Sequence, residues 1–91
     1  MSEPVRRRVV VHGYVQGVFF RDTTRREAER RGVAGWVTNR PDGAVEAVFE
    51  GEPDAVDEMV RFCERGPRGA DVERVETSEE PAEGVAGFVV R

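Results

Sequence analysis

Two stretches with helical periodicity, each set between β-branched runs, limit what this chain can build. Arg21 to Arg31 is polar and helix-favouring, with Phe20, Thr24 and Ala28 spaced i, i+4, i+8 along one face. Gly32 ends it. Pro53 to Arg65 carries an apolar stripe of Ala55, Val56, Met59, Val60, Phe62 and Cys63. Pro53 sits in the first turn, where a missing N–H costs nothing, and Gly66-Pro67-Arg68-Gly69 breaks the helix at its far end. The remaining runs read as strands: Val5 to Tyr14 around Val9-Val10-Val11, Trp36 to Thr38, Val45 to Phe49, Val72 to Thr77, and a short last one at Phe88 to Val90. Asn39-Arg40-Pro41-Asp42-Gly43 suits a tight turn between the second and third. Strand, helix, strand, strand, helix, strand is the order of an α+β sandwich, an antiparallel sheet with both helices on one face. Strand 3 then lies between strands 1 and 2, which run the same way. The loop after strand 1 and the turn after strand 2 therefore leave the same edge of the sheet, roughly 10 Å apart.

Composition narrows the class. The 91 residues read as one domain spanning 1–91. A single cysteine, Cys63, can form no internal disulfide and no cysteine metal cluster. No apolar run approaches the roughly 18 residues of a membrane span. The basic run from Met1 to Arg8 has no apolar segment of signal-peptide length behind it, so a soluble cytoplasmic monomer is the expectation. A net charge of −4 opposes nonspecific nucleic-acid binding, which draws on a cationic field. Every basic side chain is arginine, and neither leucine nor isoleucine occurs. A GC-rich genome accounts for this, and so does adaptation to high salt, where a screened acidic surface stays soluble. Composition leaves both open.

Gly13 to Arg21 carries the chemistry, joining a strand to a helix N-terminus. Consecutive backbone N–H groups in such a turn are unpaired and can converge on one anion, which the helix dipole also favours. Gly13 and Gly17 allow the backbone angles of a cradle, and Arg21 adds a planar fork for two phosphate oxygens. An ordinary strand–helix loop with a solvated arginine fits the same residues. His12, the only histidine, lies inside a strand and reads as structural or exposed. Cys63 falls on the apolar stripe and reads as core. A nucleophilic triad and a metal site both lack their parts. Asn39 remains at the shared edge: its carboxamide cannot take a proton but can hold a water, or it is simply a turn residue. A cradle, an arginine and a water-holding amide suit a substrate whose leaving group needs no protonation, as in acyl phosphates.

Val11-x-Gly13-x-Val15-Gln16-Gly17-Val18-x-Phe20-Arg21 resembles the first signature of the acylphosphatase family. Gly35-Trp36-Val37-x-Asn39-x-x-Asp42-Gly43-x-Val45-Glu46, continuing to Gly51, resembles the second. Phe62-Cys63-x-x-Gly66-Pro67 and Ala70-x-Val72 extend the likeness over nearly the whole chain. The resemblance implies a ferredoxin-like sandwich that hydrolyses acyl phosphates to carboxylate and inorganic phosphate, with no cofactor, metal or covalent intermediate. Carried over by position, Arg21 and the backbone amides of Gln16, Gly17, Val18, Phe19 and Phe20 bind the phosphoryl group, and Asn39 orients the attacking water. Thr38 stands where a longer, often basic residue is usual, and Arg31 where an apolar one is common. Two rivals come from other classes. A ferredoxin-like RNA-binding module would need aromatic central strands and a basic face. A noncatalytic binder of anionic metabolites would keep the cradle and Arg21 without needing Asn39. A carbamoyl-phosphate-handling domain also resembles the family but normally belongs to a much longer chain, whereas this one stops after its last strand.

Overall fold

The computed structural model describes residues 3–91; Met1 and Ser2, which open the basic N-terminal run, lie outside the described residues. The elements are β1 (Val5–Tyr14), α1 (Phe20–Arg30), β2 (Ala34–Asn39), β3 (Val45–Gly51), α2 (Pro53–Arg65), β4 (Asp71–Glu80) and β5 (Phe88–Val90). Their spatial order in the sheet is β4-β1-β3-β2-β5. Strand β3 is antiparallel to both β1 and β2, and β4 is antiparallel to β1. This is the ferredoxin-like α+β arrangement, with α1 and α2 packed against each other over one face.

Alternation along the strands builds the core on that face. Val9 and Val11 of β1, Val37 of β2, and Val45, Ala47 and Phe49 of β3 point at the helices and are fully or almost fully buried. Val56, Met59, Phe62 and Cys63 of α2 meet them, and Phe20 of α1 sets its ring edge-on to Phe62 at 6.0 Å between centroids. Burying each such aliphatic or aromatic side chain contributes about 1.5–3 kcal/mol.

The uncovered face is polar and paired. Arg6 bonds Glu50 and Glu80 at 3.1 Å each, while Arg8 pairs with Glu80 at 2.6 Å and with Glu46. These cross-strand pairs explain why β4 runs on to Glu80, past the Thr77 at which its β-branched pattern stops: Arg6 lies opposite Glu80, and Arg8 opposite Ser78. They also take up acidic residues of low strand propensity.

The sheet is antiparallel, as expected, except at one edge, where the short β5 pairs with β2 in parallel. The chain leaves β4 at one edge, crosses the sheet, and reaches the opposite edge already running in the direction of β2. Its crossing segment is fastened by Glu50, whose carboxylate accepts the Glu83 amide at 3.0 Å and the Gly84 amide at 2.7 Å. The Gly35 and Arg91 amides then bond the Gly87 and Val37 carbonyls at 3.0 and 2.8 Å.

Candidate functional site

The site begins with one row of the sheet. Val11 of β1 and Asn39 of β2 both lie opposite Val45 of β3, one on either side. Two strand spacings, about 10 Å, therefore separate Val11 from Asn39, where β2 ends, while β1 runs on past that row to Tyr14. Both strands hand over to loops at the same edge: residues 15–19 after β1, and the turn at residues 40–44 after β2.

Two glycines frame the first loop but do different work. Gly17 takes a positive φ of 77°, a conformation open to glycine, with empty space where a side chain would stand. Gly13, expected to shape the cradle, instead lies at an irregularity in the β1–β4 pairing, where a Cβ would run into the Asp71 carbonyl oxygen and come within 2.8 Å of the Glu73 amide. It holds the loop's root, not its rim.

At Phe19 the backbone turns left-handed, φ 61° and ψ 27°, a conformation that costs a non-glycine residue about 1–2 kcal/mol. The turn sends consecutive side chains apart. Phe19 is left 81% exposed, while Phe20 is 2% exposed and anchors α1 in the core. Among the described residues, the amides of 16–19 donate no backbone hydrogen bond, and the Phe19 carbonyl receives the Thr23 amide at 3.0 Å. A run of free N–H groups thus ends at the positive pole of α1.

These parts surround a cleft of about 540 Å³, lined by Gly17, Phe19, Phe20, Arg21 and Asn39, with Val15 and Val90 as apolar floor. Arg21 projects from the first turn of α1, and its Nη1 donates to the Arg91 carbonyl at 2.8 Å. That bond leaves four of the five guanidinium hydrogens for a ligand. Asp22 also lines the cleft but is neutralised locally: Arg25 at 2.9 Å and Arg26 at 3.0 Å hold its carboxyl below the usual carboxylate range. Among the described residues the Asn39 carboxamide makes no hydrogen bond, and it opens on the cleft.

Of the seven residues singled out in the sequence, Gly17, Phe19, Phe20, Arg21 and Asn39 line one cleft. Val18 turns away and packs against the core. The Gln16 side chain also leaves the cleft: its Nε2 donates to the Arg40 carbonyl at 2.8 Å and the Ala44 carbonyl at 3.0 Å. Sequence reasoning missed that bridge, and it missed Arg91, whose guanidinium lies 4.3 Å from the Trp36 ring centre on the open face. His12 bonds Glu76 at 2.7 Å on that same open face, while Cys63 is buried under α2. Among the described residues no three His, Cys, Asp or Glu side chains are grouped to hold a metal ion, and no helix is long and apolar enough to cross a membrane.

Residues 7–90 match the family model described as acylphosphatase. An acylphosphatase from Rubrobacter xylanophilus is 68% identical over 85 residues, spanning 92% of this chain and 77% of that protein. One from Gloeobacter violaceus is 52% identical over 90 residues, 99% of this chain and 97% of its own. The solved structure of an acylphosphatase from Coxiella burnetii superposes with a TM-score of 0.92 at 39% identity, over 97% of this chain and 93% of that one.

Proposed function

Since the chain belongs to the acylphosphatase family, whose activity is hydrolysis of acyl phosphates to carboxylate and inorganic phosphate, we propose that Arg21 and the 16–20 amides bind the phosphoryl group and that Asn39 orients the attacking water. One observation carries the assignment: the free amides, the arginine fork and an unengaged carboxamide share a single cleft, reached from two strands that hand over to loops at the same edge of the sheet.

The amides and Arg21 neutralise charge on the three peripheral phosphate oxygens, charge that persists into the transition state. One Arg21 nitrogen donates to the Arg91 main-chain oxygen, which restrains the side chain at the cleft while its other hydrogens stay available. Asn39 Oδ1 accepts a hydrogen from water and presents its oxygen to phosphorus, opposite the departing acyl oxygen. The P–O bond to the acyl group breaks, the electron pair leaves as carboxylate, and the proton passes from the attacking water to phosphate or solvent. No side-chain base is required, because a carboxylate is a good leaving group at neutral pH.

Charge on the rest of the surface favours the expectation that residues 1–91 act without a nucleic-acid partner, whereas action in the cytoplasm as a monomer, without a membrane partner or a metal, is proposed from the sequence alone. The open sheet face, where a ferredoxin-like RNA-binding module would stack bases, has its Arg6 and Arg8 committed to carboxylates. The Arg8 and Arg91 guanidinium groups both lie over its Trp36 ring, 5.4 and 4.3 Å from the ring centre.

Hydrolysis of a simple aromatic acyl phosphate, measured with and without a chelator, tests the reading together with Arg21→Lys. Lysine keeps the charge but loses the fork. The variant should bind phosphate poorly and lose about 10²-fold or more in kcat/KM, with the wild type indifferent to the chelator. Near wild-type turnover by Arg21→Lys would remove the bidentate role.

A further inference from the structure

The side chain of Gln16 is not needed for the amide cradle, yet it is the direct side-chain tie between the cradle loop and the turn that follows Asn39. Its Nε2 gives hydrogen bonds to two carbonyls, Arg40 at 2.8 Å and Ala44 at 3.0 Å. Both acceptors already belong to the turn's own framework: the Arg40 amide bonds the Ala44 carbonyl at 2.8 Å, and the Gly43 amide bonds the Arg40 carbonyl at 3.1 Å. Asp42 locks the same turn by accepting the Ala44 amide at 3.1 Å. The turn is therefore a closed hydrogen-bonded unit, and Gln16 grips it at both ends. Two carbonyl acceptors require a group with two hydrogens on one atom, which a carboxamide nitrogen supplies and a carboxylate or hydroxyl does not.

We infer that Gln16 is a positioning residue for the hydrolytic step: its carboxamide sets the Asn39 turn at a fixed distance from the phosphate cradle, so that the water held by Asn39 meets phosphorus in line with the departing oxygen. The inference rests on the assignment of Asn39 proposed above. Arg40, one acceptor, immediately follows Asn39, and Gln16 is itself one residue from the Gly17 rim of the cleft. A displacement of either loop is thus resisted at a point adjacent to both halves of the site. Rate depends steeply on the placement of the reacting atoms, whereas phosphate affinity depends on the amides and Arg21 alone. Loss of the tie should therefore appear in kcat and not in phosphate binding.

A double-mutant cycle between Gln16→Met and Asn39→Ala, read as kcat with an aromatic acyl phosphate and as the inhibition constant of inorganic phosphate, tests this. Methionine matches the length of glutamine and removes the donor. Gln16→Met alone should lower kcat about tenfold and leave the phosphate constant within about twofold. On the Asn39→Ala background the same substitution should change kcat by less than about twofold, because the group it positions is gone. An equal loss in both backgrounds, or weakened phosphate binding with unchanged kcat, would overturn the role of Gln16 while leaving Asn39 standing. Normal turnover by Asn39→Ala alone would overturn both. Circular dichroism checks folding, and Gln16→Ala, which removes the same donor with less bulk, replaces the methionine variant if that one does not fold.

Discussion

Single residues divide sharply into those the sequence announces and those it hides. Arg21 and Asn39 stand inside long local patterns, one at a strand–helix junction and one at a Pro-Asp-Gly turn, so nearby residues are enough to single them out as candidates. The bridge from Gln16 spans 24 and 28 positions, and the bond from Arg21 to Arg91 spans 70. No local pattern encodes contacts at those separations. Cys63 was legible from helical spacing alone, and its environment yields a prediction. Burial, with Glu64 adding to it, pushes the thiol up to about 12, so almost no thiolate exists at pH 8. A thiol-blocking reagent should leave the folded enzyme unlabelled by mass spectrometry and fully active, with labelling appearing on denaturation. Stoichiometric labelling of the native protein, with loss of activity, would contradict this placement.

Element bounds follow from the sequence wherever a β-branched run or a helical apolar stripe continues unbroken. Strand β1 and helix α2 keep the bounds expected of them, whereas β4 runs on to Glu80 because charge pairing with β1 continues beyond its valines. The parallel β5 was hidden for a different reason. Three residues carry too little pattern to give direction, and its placement depends on Glu50 capturing two amides of the crossing segment. Glu50 makes that arrangement sensitive to acid. Burial pushes its carboxyl up, but the Glu83 and Gly84 amides and Arg6 outweigh this and hold it below the usual carboxylate range. A carboxyl depressed in the folded state adds stability above its unfolded value, about 4.3, and that contribution is lost as pH falls toward the folded value. Urea midpoints measured from neutral pH downward should therefore drop below about pH 4.3, and drop less steeply in Glu50→Gln. Identical slopes in the two proteins would show that Glu50 is not the group responsible.

Across the molecule, charge is organised by depth. The Arg6–Glu50 pair lies almost out of solvent, whereas Asp71, Glu73, Glu76 and Glu79 of the edge strand β4 face water. Salt screens exposed charges strongly and buried pairs weakly, so added ions relieve repulsion along β4 more than they loosen the pairs across the sheet. We propose on this ground that the lysine-free acidic surface suits high salt. The denaturation midpoint should hold or rise between about 0.1 M and about 1 M potassium chloride. A steady fall would assign the composition to genome bias instead.

On the proposed assignment, two loops from separate strands divide the work, one holding phosphate and the other holding water. Turnover by Asn39→Ala reads that division directly. A folded variant should lose at least about 10²-fold in kcat while KM and phosphate inhibition change far less. Wild-type kcat in the folded variant would make Asn39 a turn residue alone and leave the attacking water without its guide.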